Sequence, residues 1–357
     1  MENMVGNFFW ADKKVFITGH TGFKGSWLSQ WLISYGAEVH GFSLAPQKQQ
    51  KLFKSLNLGN LLASNTYGDI RNYNQIHKAL AYSQPDIIFH LAAQPLVKES
   101  YLSPLETLEV NALGTANLLE ALKTSRATKV LINVTTDKCY ENEEINKLYS
   151  ESDKLGGHDI YSASKACSEI ITSAYNRSFF YDKDQYIASA RAGNVIGGGD
   201  YSADRLIPDL FRAIDGNEIL LIRNPLAIRP WQHVLEPLSG YLELAKNLFL
   251  DGPNFEGPWN FGPNEKDCIS VQSLLKIAAK KIDFSWEVNT DITPHEATLL
   301  MLDNSKAKKL LSWNPRLSIE DSVQFTVDWH EKTNQTKDLQ GFMLSQIEDF
   351  LALSNLA

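Results

Sequence analysis

Apolar positions in the first 197 residues alternate between short β-branched runs and longer stretches of helical period. "KVFITG" (14–19) is an apolar run that stops at a glycine and predicts a strand. "GSWLSQWLISYG" (25–36) places Trp27, Leu28, Trp31 and Leu32 on one helical face. "AEVHGFSL" (37–44) predicts a second strand, and "DIIFHLAA" (86–93) another, apolar enough to be buried on both sides. "PLETLEVNALGTANLLEALKTS" (104–125) predicts one long helix with Pro104 at its start. "KVLINVTT" (129–136) is the next strand, "DIYSASKACSEIITSAYNRSFF" (159–180) a helix, and "YIASARAGNVIG" (186–197) a strand. Strand and helix in alternation predict an α/β fold: a Rossmann-type, doubly wound parallel sheet.

After Gly197 the texture changes. Glycine, proline and polar stretches run through "GGGDYSADRLIPDL" and "RNPLAIRPWQHV", with shorter helical segments at 271–282 and 304–311. This predicts a smaller C-terminal substrate-binding α/β region. The expected division is a dinucleotide-binding domain over 1–197 and a substrate region over 198–236 and 266–357. Residues 237–265 pack back on the first domain, since "PLSGYLELAKNLFL" (237–250) reads as a helix.

Composition narrows the function classes. Of 357 residues, 43% are hydrophobic, enough for a large core, and the net charge of −8 argues against general nucleic-acid binding. An anionic ligand must then be held by local cations or backbone amides. Cys139, Cys167 and Cys268 show neither CxxC spacing nor a dense framework, so a zinc site or disulfide scaffold is not expected. No apolar run is long enough to span a bilayer, and the first residues lack a signal-peptide core, so the expectation is a cytoplasmic protein.

The chemistry gathers at strand ends. In "TGHTGFKG" (18–25), Gly19, Gly22 and Gly25 lie three apart between a strand and a helix. Missing side chains let the turn form and let a pyrophosphate approach the helix N-terminus. Lys24 in this loop either binds phosphate or faces solvent. Ser43 stands where an acid would select the adenosine ribose of NAD, so the choice between NAD and NADP stays open. Asp69 either receives the adenine amino group or makes a strand-end turn. Ala92 and Ala93 in "HLAAQP" either admit the cofactor or allow tight packing. Asn111 either orients the active-site backbone or joins two helices. Tyr161 and Lys165 in "YSASK" are four apart, hence on one helical face, where the ammonium would favour phenolate.

Together "TGHTGFKG", "HLAAQP", "NALGT", "TTDKCY", "YSASK" and "RAGNVIGGGD" resemble the extended short-chain dehydrogenase/reductase family, and within it the nucleotide-sugar 4,6-dehydratases. The likeness runs nearly end to end, including "RPWQHV" (229–234) and "LDNSKAKKLLSWNP" (302–315), and its wording is nearest to the branch acting on CDP-D-glucose. The resemblance implies a hydro-lyase that uses NAD to make a 4-keto-6-deoxy sugar nucleotide. It implies Thr136 on the sugar 4-hydroxyl, Asp137 as acid for the departing 6-hydroxyl, Lys138 or a water as base at C5 where glutamate is commoner, Tyr161 as base for the 4-hydroxyl, and Lys165 beside it; the other reading of Asp137 and Lys138 is an ion pair that shapes the loop. The implied cofactor contacts are Gly19, Thr21, Gly22, Phe23, Lys24, Gly25, Asp69, Ile70, Leu91, Ala92, Ala93, Tyr161 and Lys165. Asn194, Arg205, Arg229 and His295 are candidates for the substrate, with Arg229 on its diphosphate; Arg191 reads equally as a structural ion pair. The resemblance further implies a homo-oligomer (dimer or tetramer) through a four-helix interface built from residues 104–125 and 161–178, and a role in supplying deoxysugars to bacterial surface polysaccharide. The alternatives are a dehydratase of dTDP-glucose or GDP-mannose, a 4-epimerase or reductase on the same scaffold, and a non-catalytic dinucleotide sensor.

Overall fold

The computed structural model describes residues 8–47, 50–289, 299–333, 335–336 and 338–353. Seven parallel strands form the central sheet: β1 (Lys14–Thr18), β2 (Glu38–Ser43), β3 (Ser64–Tyr67), β4 (Ile87–His90), β5 (Val130–Val134), β6 (Tyr186–Arg191) and β7 (Gly257–Asn260). Their order is β7-β6-β5-β4-β1-β2-β3. The direction of winding reverses between β1 and β4, so a crevice opens beyond their C-terminal ends.

Successive side chains of each strand point to opposite faces. Val15, Ile17, Ile87, Phe89, Val130 and Ile132 join one core cluster, and Phe16, Ile88 and Leu131 join the other. Covering the first face is α1 (Phe23–Ser34). It has no side-chain cap, so packing must hold it. Trp27, Leu28, Trp31 and Leu32 are at most 1% exposed, and full burial of each is worth about 1.5–3 kcal/mol. The opposite face is covered by α2 (Gly114–Leu122) and α3 (Ile160–Tyr175).

The stretch 104–125 differs from a single regular helix. It is helical from Pro104 to Leu122 but passes through a π-helical turn at Glu109–Leu113. The buried Asn111 sits in that turn. Its amide donates to the Gln94 carbonyl (3.0 Å) and to Ser164 Oγ (2.8 Å), and its oxygen accepts from the Gln94 amide (2.8 Å). Asn111 therefore joins α3 to the loop after β4, which unites its two expected roles.

Beyond Gly197, α4 (Leu206–Gly216) and the two-stranded sheets at 220–222/286–288 and 228–230/268–270 build a separate core around Leu210, Leu220, Trp231, Leu274 and Val323. The chain returns to the main sheet through α5 (Leu235–Asp251), whose Leu238, Tyr241, Leu244 and Leu248 enter the first core cluster, and through β7.

Candidate active site

The glycine turn after β1 is built against β4. Gly19 has φ +76°, and a Cβ there would stand 2.7 Å from the Ala92 nitrogen. Any side chain would be strained and would push the end of β4 away. The Ala92 amide donates to Thr18 Oγ1 at 3.1 Å, and the Leu91 amide to the Thr18 carbonyl at 3.1 Å. The first amides of α1, at Phe23, Lys24 and Gly25, have no side-chain cap from Gly22. They present the donor set that a pyrophosphate requires. Thr21 Oγ1 is 2.5 Å from Ser43 Oγ, which also donates to the Leu44 carbonyl at 2.7 Å. The place of the expected acid is thus filled by a hydroxyl tied to the glycine loop.

Asp69 is held by its neighbour. Arg71 donates to it from Nε at 3.1 and 3.0 Å and from Nη2 at 2.6 Å, and the Arg71 amide donates to Oδ1 at 2.9 Å. These bonds hold its carboxyl below the usual carboxylate range. Ile70 is buried in the core, where it packs against Gly114. Lys24 is half-buried rather than solvent-facing at its tip. Its Nζ donates to Tyr241 Oη at 3.3 Å. Burial first, then the charges of Arg205 and Lys165, push this ammonium down to about 7, with Asp137 opposing.

At the end of β5 the chain makes a short 3-10 turn at Asp137–Cys139. Thr136, Asp137, Tyr161 and Lys165 are all buried there, and Lys138 is half-buried. The Thr136 hydroxyl donates to Asp137 Oδ1 at 2.9 Å and is hydrogen-bonded to Tyr161. Asp137 is 1% exposed, and its Oδ2 has no hydrogen-bond partner among the described residues. A buried polar oxygen left this way costs about 1–3 kcal/mol, so the site is built to pair it with a polar group of a bound molecule. Gly193 makes room for it, because a Cβ at that position would collide with the Asp137 carboxyl group.

Lys165 reaches the Val134 carbonyl at 3.4 Å, and burial pushes its ammonium down to about 8 against the opposing charge of Glu169. Burial also pushes the Tyr161 phenol up to about 12, while the Thr136 hydroxyl and Arg205 pull the other way. This departs from the expected effect of an ammonium on the phenol: desolvation, which the spacing of Tyr161 and Lys165 does not reveal, is the larger influence.

The cluster so assembled is Lys24, Thr136, Asp137, Tyr161 and Lys165, with Arg205 close enough to influence Lys24 and Tyr161; Lys138 follows Asp137 in the turn, where its amide donates to Thr136 Oγ1 at 3.3 Å. Arg205 stands at the start of α4 and donates to Asp200 Oδ2 at 3.1 Å. Asn194, next to Gly193, takes the left-handed conformation at φ +45°. Arg229 is buried on a strand paired antiparallel with Cys268–Ser270, where its Nη1 donates to the Ile228 carbonyl at 2.9 Å. Ala93 follows β4 in the loop to Gln94. His295 lies outside the described residues. Arg191 makes the structural ion pair, with Glu169, and Cys139 and Tyr140 are core residues. Tyr241 was not anticipated. Burial, Asp137 and Tyr161 all push its phenol upward, so it adjoins both groups. Nothing local in its sequence points there, whereas Glu169, four residues past Lys165, had a spacing that could have marked it.

The family model for GDP-mannose 4,6 dehydratase matches residues 16–326. CDP-glucose 4,6-dehydratase of Salmonella typhimurium is 44% identical over 356 residues, covering 98% of this chain and 99% of that protein. CDP-paratose 2-epimerase of Salmonella typhi is 26% identical over 88% of this chain and 98% of its own length. Among solved structures, an epimerase from Methanothermobacter thermautotrophicus superposes with a TM-score of 0.80 at 20% identity, covering 93% of this chain and 96% of that one. UDP-glucose 4-epimerase of Thermotoga maritima gives 0.76 at 20% identity, over 90% and 99% of the two chains. At that identity the superpositions speak for the fold.

Proposed function

The chain belongs to the GDP-mannose 4,6 dehydratase family, and we propose that it is a CDP-D-glucose 4,6-dehydratase. It converts CDP-D-glucose to CDP-4-keto-6-deoxy-D-glucose and water. The observation that carries this reading is the convergence of a buried carboxyl group, Asp137, with Thr136, Tyr161 and Lys165 at one strand end, in a chain 44% identical to a CDP-glucose 4,6-dehydratase. An epimerase has no need of an acid at Asp137.

Bound NAD supplies a hydride acceptor for C4 and a hydride donor for C6, so no net redox occurs. Gly19, Thr21, Gly22, Phe23, Lys24 and Gly25 would hold its pyrophosphate end, with Leu91, Ala92, Ala93, Asp69 and Ile70 along the crevice. Thr136 binds the sugar 4-hydroxyl, and Tyr161 takes the proton of that hydroxyl. Lys165 stabilises the phenolate while it remains an ammonium, which burial makes conditional on pH near 8. Oxidation at C4 acidifies the C5 proton, which Lys138 removes. Asp137 gives a proton to the leaving 6-hydroxyl, and its unpartnered Oδ2 is the oxygen placed to do so. Arg229, Arg205, Asn194 and His295 would serve the nucleotide end. On this reading, residues 1–197 bind the dinucleotide, 237–265 pack on that domain, and 198–236 with 266–357 serve the nucleotide sugar, apart from the helix at Leu339–Ala352, whose Met343, Ile347 and Phe350 pack in the first core cluster against α1.

The outward faces of the helices at 97–108 and of α3 leave Leu102 (72%), Leu105 (73%) and Ile170 (55%) exposed, which supports a homo-oligomer through these helices. Among the described residues no helix is long and apolar enough to cross a membrane. A cytoplasmic enzyme supplying deoxysugars for lipopolysaccharide O-antigen fits this chemistry. The test is incubation with CDP-glucose and NAD, read by the alkali-induced absorbance of a 4-keto sugar, with dTDP-glucose and GDP-mannose as competitors. A preference for a competitor would change the assigned base. No keto product from any of the three would remove the dehydratase reading.

A further inference from the structure

Behind the catalytic strand end lies a buried charged cluster that the reaction above does not use. Glu169 stands on α3 one turn past Lys165 and is 4% exposed; Arg191 ends β6 and is 2% exposed. Arg191 grips the carboxylate with two parallel bonds, Nε to Oε1 at 2.9 Å and Nη2 to Oε2 at 3.0 Å. Glu169 Oε1 also accepts from Thr135 Oγ1 at 2.5 Å. On the other side Arg191 Nη1 donates to Tyr140 Oη at 2.7 Å, and that hydroxyl donates to Asn260 Oδ1 at 2.7 Å.

Thr135 and Tyr140 flank residues 136–139. The ion pair therefore holds both ends of the segment that carries Thr136, Asp137 and Lys138. Stability is a poor reason for this arrangement, because the desolvation of a buried pair largely cancels its attraction and an apolar pair would serve as well. An apolar pair could neither fix two loop ends by directional bonds nor set a carboxylate beside Lys165.

We propose that Glu169, together with Arg191, is the positioning residue of this site: it fixes the 135–140 segment against the hexose and supplies the negative charge that keeps Lys165 an ammonium. The inference rests on the catalytic reading of that segment given above. The groups whose charges bear on Lys165 are few. Glu169 on its own helix favours the ammonium, whereas burial pushes the Cys139 thiol on the turn well above its ordinary value, so it stays uncharged there. Lys24 on α1 carries a charge that interacts unfavourably with it. His90 at the end of β4 is pushed down to about 3 by burial and by Lys165 itself, so it is neutral. Glu169 is thus the strongest influence opposing burial. Its removal would leave Arg191 as an uncompensated cation behind Lys165, and the ammonium would lose its proton at lower pH.

The experiment reads the charge of Lys165 without turnover. Protein labelled with 15N-lysine is titrated by NMR, and the Lys165 Nζ signal is assigned by its loss in Lys165→Arg. In Glu169→Gln, which keeps the shape and one acceptor oxygen for Thr135 and Arg191 Nε but loses the acceptor of the Arg191 Nη2 bond, the midpoint is expected to fall by about one pH unit, a tenfold loss of proton affinity. In Thr135→Val, which cuts only the bond to Glu169, the midpoint stays at the wild-type value. There kcat falls roughly tenfold or more with KM little changed, as misplacement of a reacting group requires. Glu169→Asp, which restores the charge, returns the midpoint toward wild type. An unmoved midpoint in folded Glu169→Gln, or wild-type kcat in Thr135→Val, overturns the proposal; should Glu169→Gln not fold, Thr135→Val decides. A moved midpoint in a wild-type background that dehydrates no nucleotide sugar would instead sink the functional reading and leave the charge assignment standing.

Discussion

Replacing Gly193 by alanine tests whether Asp137 acts from the position it occupies. Gly193 is not among the residues with positive φ, so alanine meets no backbone strain there. The obstacle is the carboxyl group. The new methyl would fall 2.6 Å from Asp137 Oδ1 and closer still to Oδ2 and the carboxyl carbon. Unstrained contacts between such atoms are about 3.5–4 Å, so the carboxyl must move by roughly 1 Å or more. Asp137 is 1% exposed and tied to Thr136 at 2.9 Å, and movement breaks that bond. A misplacement of about 1 Å costs on the order of a hundredfold in rate, and a general acid contributes about 10²–10⁴-fold. Gly193→Ala should therefore lower formation of the 4-keto-6-deoxy product at least about a hundredfold. Stability should fall by only about 1–3 kcal/mol. Oxidation at C4 does not need the acid, so single-turnover absorbance of the reduced nicotinamide should persist. Asp137→Asn should show the same deficit, and the double variant little more, since both changes act on one group. A folded Gly193→Ala protein with wild-type product formation would refute the placement of the acid.

Tyr161→Phe should keep dinucleotide binding, measured by calorimetry, while turnover falls about 10²–10⁴-fold. Lys138→Met keeps the length of the side chain and removes the base; solvent deuterium should then cease to enter C5, and incorporation at the wild-type rate would exclude Lys138. Stability should depend on pH through His233, fully buried between Trp27 and Phe325 and pushed down to about 3 by that burial. Its folded value lies below its unfolded value, so the unfolded chain binds the extra proton and stability is lost as pH falls below the unfolded value of about 6.5. By pH 5 the loss from this one group is about 2 kcal/mol. Denaturant melts of His233→Phe should lack that part of the decline, and an equal decline in both proteins would contradict it.

β1, β4 and β5 were legible because they are apolar runs rich in β-branched residues, and α1 because it repeats its large residues at helical spacing; β7, "GPWN", has no β-branched residue and was not legible. The glycine turn and the Tyr161–Lys165 face were legible for the same reason: both are local. What was not legible is set by contacts distant in the chain. Lys24 turns inward because Tyr241 lies across the fold. The π-helical turn at Glu109–Leu113 carries Asn111, whose partners are Gln94 and Ser164, and no period within 104–125 marks them. Gly193 reads as one of several glycines after β6 until Asp137 is seen beside it. Burial of Tyr161, which outweighs its neighbours' charges, is likewise a property of the assembled cleft.

The most direct test follows a deuterium atom placed at C4 of CDP-glucose. If Tyr161, Lys165 and Asp137 act on one hexose beside one retained cofactor, that atom moves to C6 of the same molecule, with no crossover when labelled and unlabelled substrates are mixed. Label left at C4, lost to solvent, or shared between molecules would contradict the account.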